Sequence, residues 1–182
     1  MAGGKAAGRF DQVSIGLHWL TLALVAAQLT TAGLLLAQSP GDDPALLLAI
    51  HRSTGVATWL IVAARLAWRL FAHTPPFPAS MPKPMQWAAK ANEYGLYALL
   101  LAQPLTGLGD ALTHGHRFML FGLEVPRVMK PQKALFHAFE TAHAAGAVLL
   151  LALITLHTGA ALFHALARRD GVFGRMLPWT AR

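Results

Sequence analysis

Residues 138–166, AFETAHAAGAVLLLALITLHTGAALFHAL, form a nearly unbroken apolar run. A helix rises 1.5 Å per residue, so about 20 apolar residues cross the ~30 Å hydrocarbon core of a bilayer. Three more runs reach that length: 15–37, 46–71 and 92–112. Lipid offers no partner to backbone N–H and C=O groups, so segments of this kind span as helices. The expected fold is therefore all-α: an integral membrane four-helix bundle, one domain over residues 1–182.

Composition agrees. Only 13% of residues are charged, against roughly 25% in soluble domains, and the mean hydropathy is +0.45. The first run is longer than the apolar core of about 7 to 15 residues of a signal peptide and reads as a retained helix. QSPGDDP (38–44) and the proline-rich HTPPFPASMPKPM (73–85) read as links, as does 113–137. No sequence repeat or low-complexity tract stands out. With no cysteine, disulfides, thiolate zinc sites, cysteine-ligated iron–sulfur clusters and covalently attached haem are excluded.

The net charge of +7 reads as a topology signal rather than a nucleic-acid footprint. Four spans put Lys5, Arg9, Arg65, Arg69, Lys83, Lys90, Arg168, Arg169, Arg175 and Arg182 on one side. Arg52, Arg117, Arg127, Lys130 and Lys133 fall on the other. The richer side is expected to be cytoplasmic, which places both termini there. The outer link 113–137 is nonetheless basic, with four Lys or Arg against the single acid Glu124.

Nine histidines occur, and several lie in apolar helices, where an unpartnered polar group is costly. His143 and His157 are fourteen residues apart, just under four turns, so they share one helix face about 21 Å apart along the axis. His51 matches His143 in depth near the outer end, and His18 matches His157 near the inner end. Two pairs stacked across the bilayer suit two b-type haems, whose irons take axial nitrogens from facing helices. Zinc or copper at paired histidines is an alternative that leaves the metal under-coordinated. A proton relay is another, and does not require pairing at two depths. Gly55, Gly146 and Gly159 follow the histidines closely; they leave room for a porphyrin edge or allow close helix packing. Arg52, beside His51, is a candidate partner for the propionates of an outer haem. Arg65 and Arg69 are expected to snorkel to lipid phosphates or to meet an inner haem's propionates. Asp110 and Glu140 are candidate proton carriers or simple surface groups. Trp19, Trp59, Trp68, Trp87 and Trp179 mostly suit a membrane-interface belt, with Trp59 mid-span. His164 is expected to hydrogen-bond at the inner surface.

From HWL (18–20) to RRDGVFGRMLP (168–178), with IHRSTG, ARLAWRL, PLTGL, FGLEVP and HTGAALFHALARRDGVFGRM between, the chain resembles the bacterial cytochrome b561 family. The resemblance implies a bacterial inner-membrane protein holding two haem b groups. Its ligands fall on His18, His51, His143 and His157, paired His18 with His157 and His51 with His143. It also implies electron transfer, best exemplified by oxidation of superoxide on the periplasmic side with reduction of ubiquinone. The alternative is a cytochrome b subunit that docks a dehydrogenase or hydrogenase as redox partner and passes its electrons to quinone. Expected partners are membrane lipid, quinone and superoxide, with no nucleic acid. The basic outer link either steers an anion such as superoxide or binds anionic lipid headgroups.

Overall fold

The computed structural model describes residues 8–178. Lys5, Trp179 and Arg182, used above for topology and the aromatic belt, lie outside the described residues. Four long helices account for most of the chain: α1 (Gln12–Leu36), α2 (Ala45–Arg69), α3 (Lys83–His114) and α4 (Lys133–Phe163). A π-helical turn, His164–Arg168, prolongs α4, and a short 3₁₀ turn, Phe173–Met176, follows. The expected all-α bundle is present. α1, α2 and α4 with its continuation to Arg168 are long and apolar enough to cross a membrane.

The helix starts follow local chemistry. Asp11 caps α1, its carboxylate accepting from the Ser14 N–H at 2.9 Å and the Ser14 hydroxyl at 2.6 Å. α3 begins at Lys83, inside the segment expected to be a link. Pro84 sits in its first turn, where a missing N–H costs nothing, so the proline run ends a loop and starts a helix. α4 likewise starts at Lys133, five residues before the expected span.

The link 113–137 holds an unforeseen β-hairpin, β1 (Phe118–Leu120) with β2 (Leu123–Val125). Its two-residue turn is Phe121–Gly122, both at positive φ (51° and 78°), the backbone of a tight hairpin turn. The Phe121 N–H donates to the Ser53 hydroxyl of α2 at 2.8 Å. Gly115 ends α3 with φ +77°, and a Cβ there would lie 2.7 Å from the Pro131 backbone nitrogen. Only glycine fits both demands.

α1 packs on α2, α2 on α3, and α3 along α4; α4 makes no extensive contact with α1 or α2. The hairpin marks one end of the bundle, the hairpin end; the described chain ends mark the other, the terminal end. α3 falls short of the others in apolarity because it spends polar side chains on its neighbours. Asn92, buried, donates to the Leu153 carbonyl of α4 at 3.0 Å, and Glu93 pairs with Arg69 of α2 at 2.8 Å. Outward faces carry leucines such as Leu149, Leu151, Leu156 and Leu162, the surface expected against lipid.

At the terminal end, Trp68 donates to Asp11 at 3.1 Å and Trp19 to the Met176 carbonyl at 2.8 Å. Trp87 is exposed, as suits an interface residue.

Small residues set the α3–α4 distance. A Cβ at Gly109 would come within 2.7 Å of the Phe139 ring, whereas one at Gly33 on α1 would meet nothing within 4 Å. Gly109→Ala is therefore predicted to destabilise by about 1–3 kcal/mol through overpacking. Gly33→Ala is predicted to cause no loss. Thermal unfolding of the two variants in detergent, followed by circular dichroism, checks this contrast.

Candidate functional site

The four histidines singled out by spacing meet as two pairs. The rings of His18 (α1) and His157 (α4) have centroids 6.3 Å apart. Those of His51 (α2) and His143 (α4) are also 6.3 Å apart. The first pair lies toward the terminal end and the second toward the hairpin end. Since α4 stands away from α1 and α2, each pair faces across the groove between them.

The hairpin-end pair is held by two matching clamps. On α1, the Gln28 amide donates to the His51 backbone carbonyl at 2.7 Å and also to the Thr54 hydroxyl. Thr31 Oγ1, three residues on, lies 2.8 Å from His51 Nδ1. On α3, the Gln103 amide donates to the His143 backbone carbonyl at 3.0 Å. Thr106 Oγ1, again three residues on, lies 3.1 Å from His143 Nδ1. Nδ1–H of His143 also donates to the Gln103 carbonyl at 3.0 Å. Gln-x-x-Thr on one helix thus grips the histidine of its hairpin partner, twice. Thr31 and Thr106 each donate their own hydroxyl proton to carbonyls of their helices. Their oxygens are therefore free to accept from Nδ1–H, leaving Nε2 as the lone-pair nitrogen of both rings. The repeat is structural, four residues long, and was invisible as sequence self-similarity.

The terminal-end pair has no such clamp. His18 Nδ1 is buried without a hydrogen-bond partner, and His157 makes no side-chain hydrogen bond among the described residues. Arg65 stands within electrostatic range of both.

Over residues 9–179 the sequence matches the prokaryotic cytochrome b561 family. The chain belongs to that family. It is 30% identical over 174 residues to cytochrome b561 homolog 1 of Escherichia coli (strain K12), covering 93% of this chain and 97% of that one. It is 28% identical over 173 residues to the probable superoxide oxidase CybB of Yersinia pestis, covering 93% and 96%. A second Escherichia coli relative, cytochrome b561 homolog 2, is 27% identical over 176 residues, covering 93% and 91%.

As a cytochrome b561 the chain is a membrane electron-transfer protein of a family that uses b-type haem. The histidine pairs fit such a group. Two imidazoles on opposite sides of one metal, each nitrogen about 2.0–2.1 Å from it, have centroids roughly 6 Å apart.

Several expectations change. A Cβ at Gly55 would meet the Gln28 side chain at 3.7 Å, and one at Gly146 would run into the Gln103 amide. Gly146 thus serves the expected close helix packing beside the Gln103 clamp, while Gly55 faces Gln28 at ordinary contact distance. Room for the His143 ring comes instead from Gly107, where a Cβ would lie 3.0 Å from Cε1. In PLTGL, Thr106 bonds the His143 ring and Gly107 makes room for it. Arg69 does not snorkel freely: it pairs with Glu93. Arg65 lies over the Tyr97 ring at 5.5 Å. Arg52 lies over the Phe118 ring at 5.3 Å. It lines a cleft of about 310 Å³ with Asp43, His114, His116 and Arg117. A neighbouring cleft of about 530 Å³ is lined by His116, Arg117, Glu124 and Arg127. Glu140 pairs with His137 at 3.3 Å on the surface.

His164 is buried and its Nδ1–H donates to Asp170 Oδ2 at 2.8 Å, so its partner is a carboxylate of this chain. Arg168 reaches the same oxygen at 3.1 Å and the Ser80 carbonyl at 2.9 Å. Burial pushes the Asp170 carboxyl up, but the bonds from His164, the Val172 N–H and Arg168 outweigh it and hold the group below its usual range. A carboxyl lowered on folding stabilises fully above its unfolded value of about 3.9. That contribution is lost as pH falls through the lower folded value. Asp170→Asn is predicted to speed hydrogen exchange of residues 169–176 at neutral pH. The gap from the wild type is predicted to close on acidification through the folded carboxyl's range.

Proposed function

We propose that this cytochrome b561 oxidises superoxide on the periplasmic side of the bacterial inner membrane and reduces ubiquinone within it. The observation that carries this reading is the pair of facing histidine pairs, one above the other on α4. His18 with His157, and His51 with His143, would each hold one haem b, so that the chain would bind two. So held by two histidines, such a group would supply single-electron transfer rather than oxygen binding.

The chain's own residues do the rest. The Gln28–Thr31 and Gln103–Thr106 clamps fix the His51 and His143 rings before any cofactor enters, and the positive charges of Arg52 and Arg65 suit propionates at the two levels. All four helices span, with both termini cytoplasmic and the β-hairpin periplasmic. The overall change balances as two superoxide anions, one ubiquinone and two protons giving two dioxygen molecules and one ubiquinol. The description of the Yersinia relative as a probable superoxide oxidase supports this substrate.

The two clefts beside the hairpin support it as well. Arg52, Arg117, Arg127 and His116 line them, against Asp43 and Glu124. Glu124 lies 3.3 Å from Arg117, so Arg127 carries much of the remaining positive field there. Such a field raises the encounter rate of a small anion and weakens with salt.

Stopped-flow mixing of the haem-loaded protein with superoxide tests this. Replacing Arg127, Lys130 and Lys133 together by Gln is predicted to slow bleaching of the superoxide signal several-fold at low ionic strength and to flatten its salt dependence. A wild-type protein that superoxide does not reduce, but that a dehydrogenase does, would replace this reading with that of a docked electron-transfer subunit.

A further inference from the structure

The two histidine pairs differ in a way that bears on direction. At the hairpin end both Nδ1 atoms have acceptors: the Thr31 hydroxyl for His51, and the Gln103 carbonyl with the Thr106 hydroxyl for His143. At the terminal end His18 Nδ1 is buried with none, and His157 makes no side-chain hydrogen bond among the described residues. An acceptor on the far nitrogen makes an imidazole a more basic ligand. A more basic ligand favours the oxidised, more positive iron, and such outer bonds are among the levers that set a haem's potential.

The other influence is charge. Each pair has one arginine in electrostatic range, Arg65 at the terminal end and Arg52 beside His51. Each arginine in turn has an acid near it, Glu93 for Arg65 and Asp110 for Arg52. Arg69 adds a further positive charge at the terminal end and Glu140 a further negative one near Asp110, so charge favours the same direction as the hydrogen bonds, and only removal of a hydrogen bond separates the two.

We infer that the Gln-x-x-Thr clamps poise the hairpin-end haem site at a lower reduction potential than the unclamped terminal-end site. Thr31 and Thr106 act as tuning residues, through the histidines they bond. The gradient runs from the side where the arginine-lined clefts open toward the side of the chain termini. It makes inward electron movement downhill, against a membrane potential that opposes it.

This inference rests on the histidine assignment of the proposed function. Spectroelectrochemical titration of the full-length, haem-loaded protein tests it without any turnover. The wild type is expected to reduce in two resolved steps. Thr31→Val keeps the side-chain volume and removes the hydroxyl acceptor of His51; it is expected to raise the lower step alone. A tenfold change in that one-electron equilibrium corresponds to 59 mV. Thr106→Val is expected to raise the same step, since a backbone carbonyl one turn back, of Gln28 or of Gln103, remains beside each histidine, and it stands in if Thr31→Val fails to retain haem. A single unresolved wild-type step, or a variant that moves the upper step or neither, would overturn the inference. Failure of the chain to bind two haems would instead overturn the ligand assignment beneath it.

Discussion

Everything in this bundle is arranged around the problem of keeping imidazoles inside an apolar phase. A histidine there needs a partner for each ring nitrogen, because water is not available to supply one. For His51 and His143 the far nitrogen is satisfied by a neighbouring helix, through Thr31 and through Thr106 with the Gln103 carbonyl. The two rings then stand with centroids 6.3 Å apart. These bonds also set the register of each helical hairpin: shifting α1 against α2, or α3 against α4, by one residue would break both the glutamine and the threonine contact at once. In a bilayer, where packing rather than hydrophobic burial joins helices, this is how the sequence specifies which turn lies beside which.

The same constraint explains the division of labour among the helices. α3 is the most polar because it anchors α4 at Asn92 and Gln103 and ties to α2 through Glu93. Held along one side only, α4 presents a second side to the groove and can carry a histidine at each of two levels. The apolar turns between His143 and His157 keep those levels about 21 Å apart. At the terminal end, the His164–Asp170–Arg168 cluster folds the last described residues beneath α4, Trp19 binds that layer to α1, and Trp68 of α2 bonds the Asp11 cap of α1.

Much of this was legible in the residues. Apolar run length gave four helices, and the fourteen-residue spacing with matched depths gave the two facing pairs. Helix ends were less legible, because a proline in a first turn and a proline in a loop look alike until the following residues commit; α3 starts at Lys83 for that reason. The hairpin in 118–125 is too short for its alternation to register, though the glycine at 122 was a signal. The clamps were missed because their pattern is two residues per copy, and Gln and Thr in an apolar run look like minor irregularities. Gly55 and Gly146 were placed on the correct helices, but which neighbour each one faces is a property of packing that spacing cannot carry. The expectation that Arg69 meets lipid phosphates or haem propionates lacked its partner Glu93, which lies on another helix twenty-four residues away in sequence.

The central claim is that each facing pair holds one haem b. The haem-to-protein ratio of the purified chain and of two single variants measures this most directly, by the absorbance of the pyridine complex against protein determined by amino-acid analysis. The account predicts two haems per chain for the wild type and one for both His18→Ala and His51→Ala, with α4 and its two histidines intact in each. A wild-type ratio of one, or a colourless protein, would contradict it.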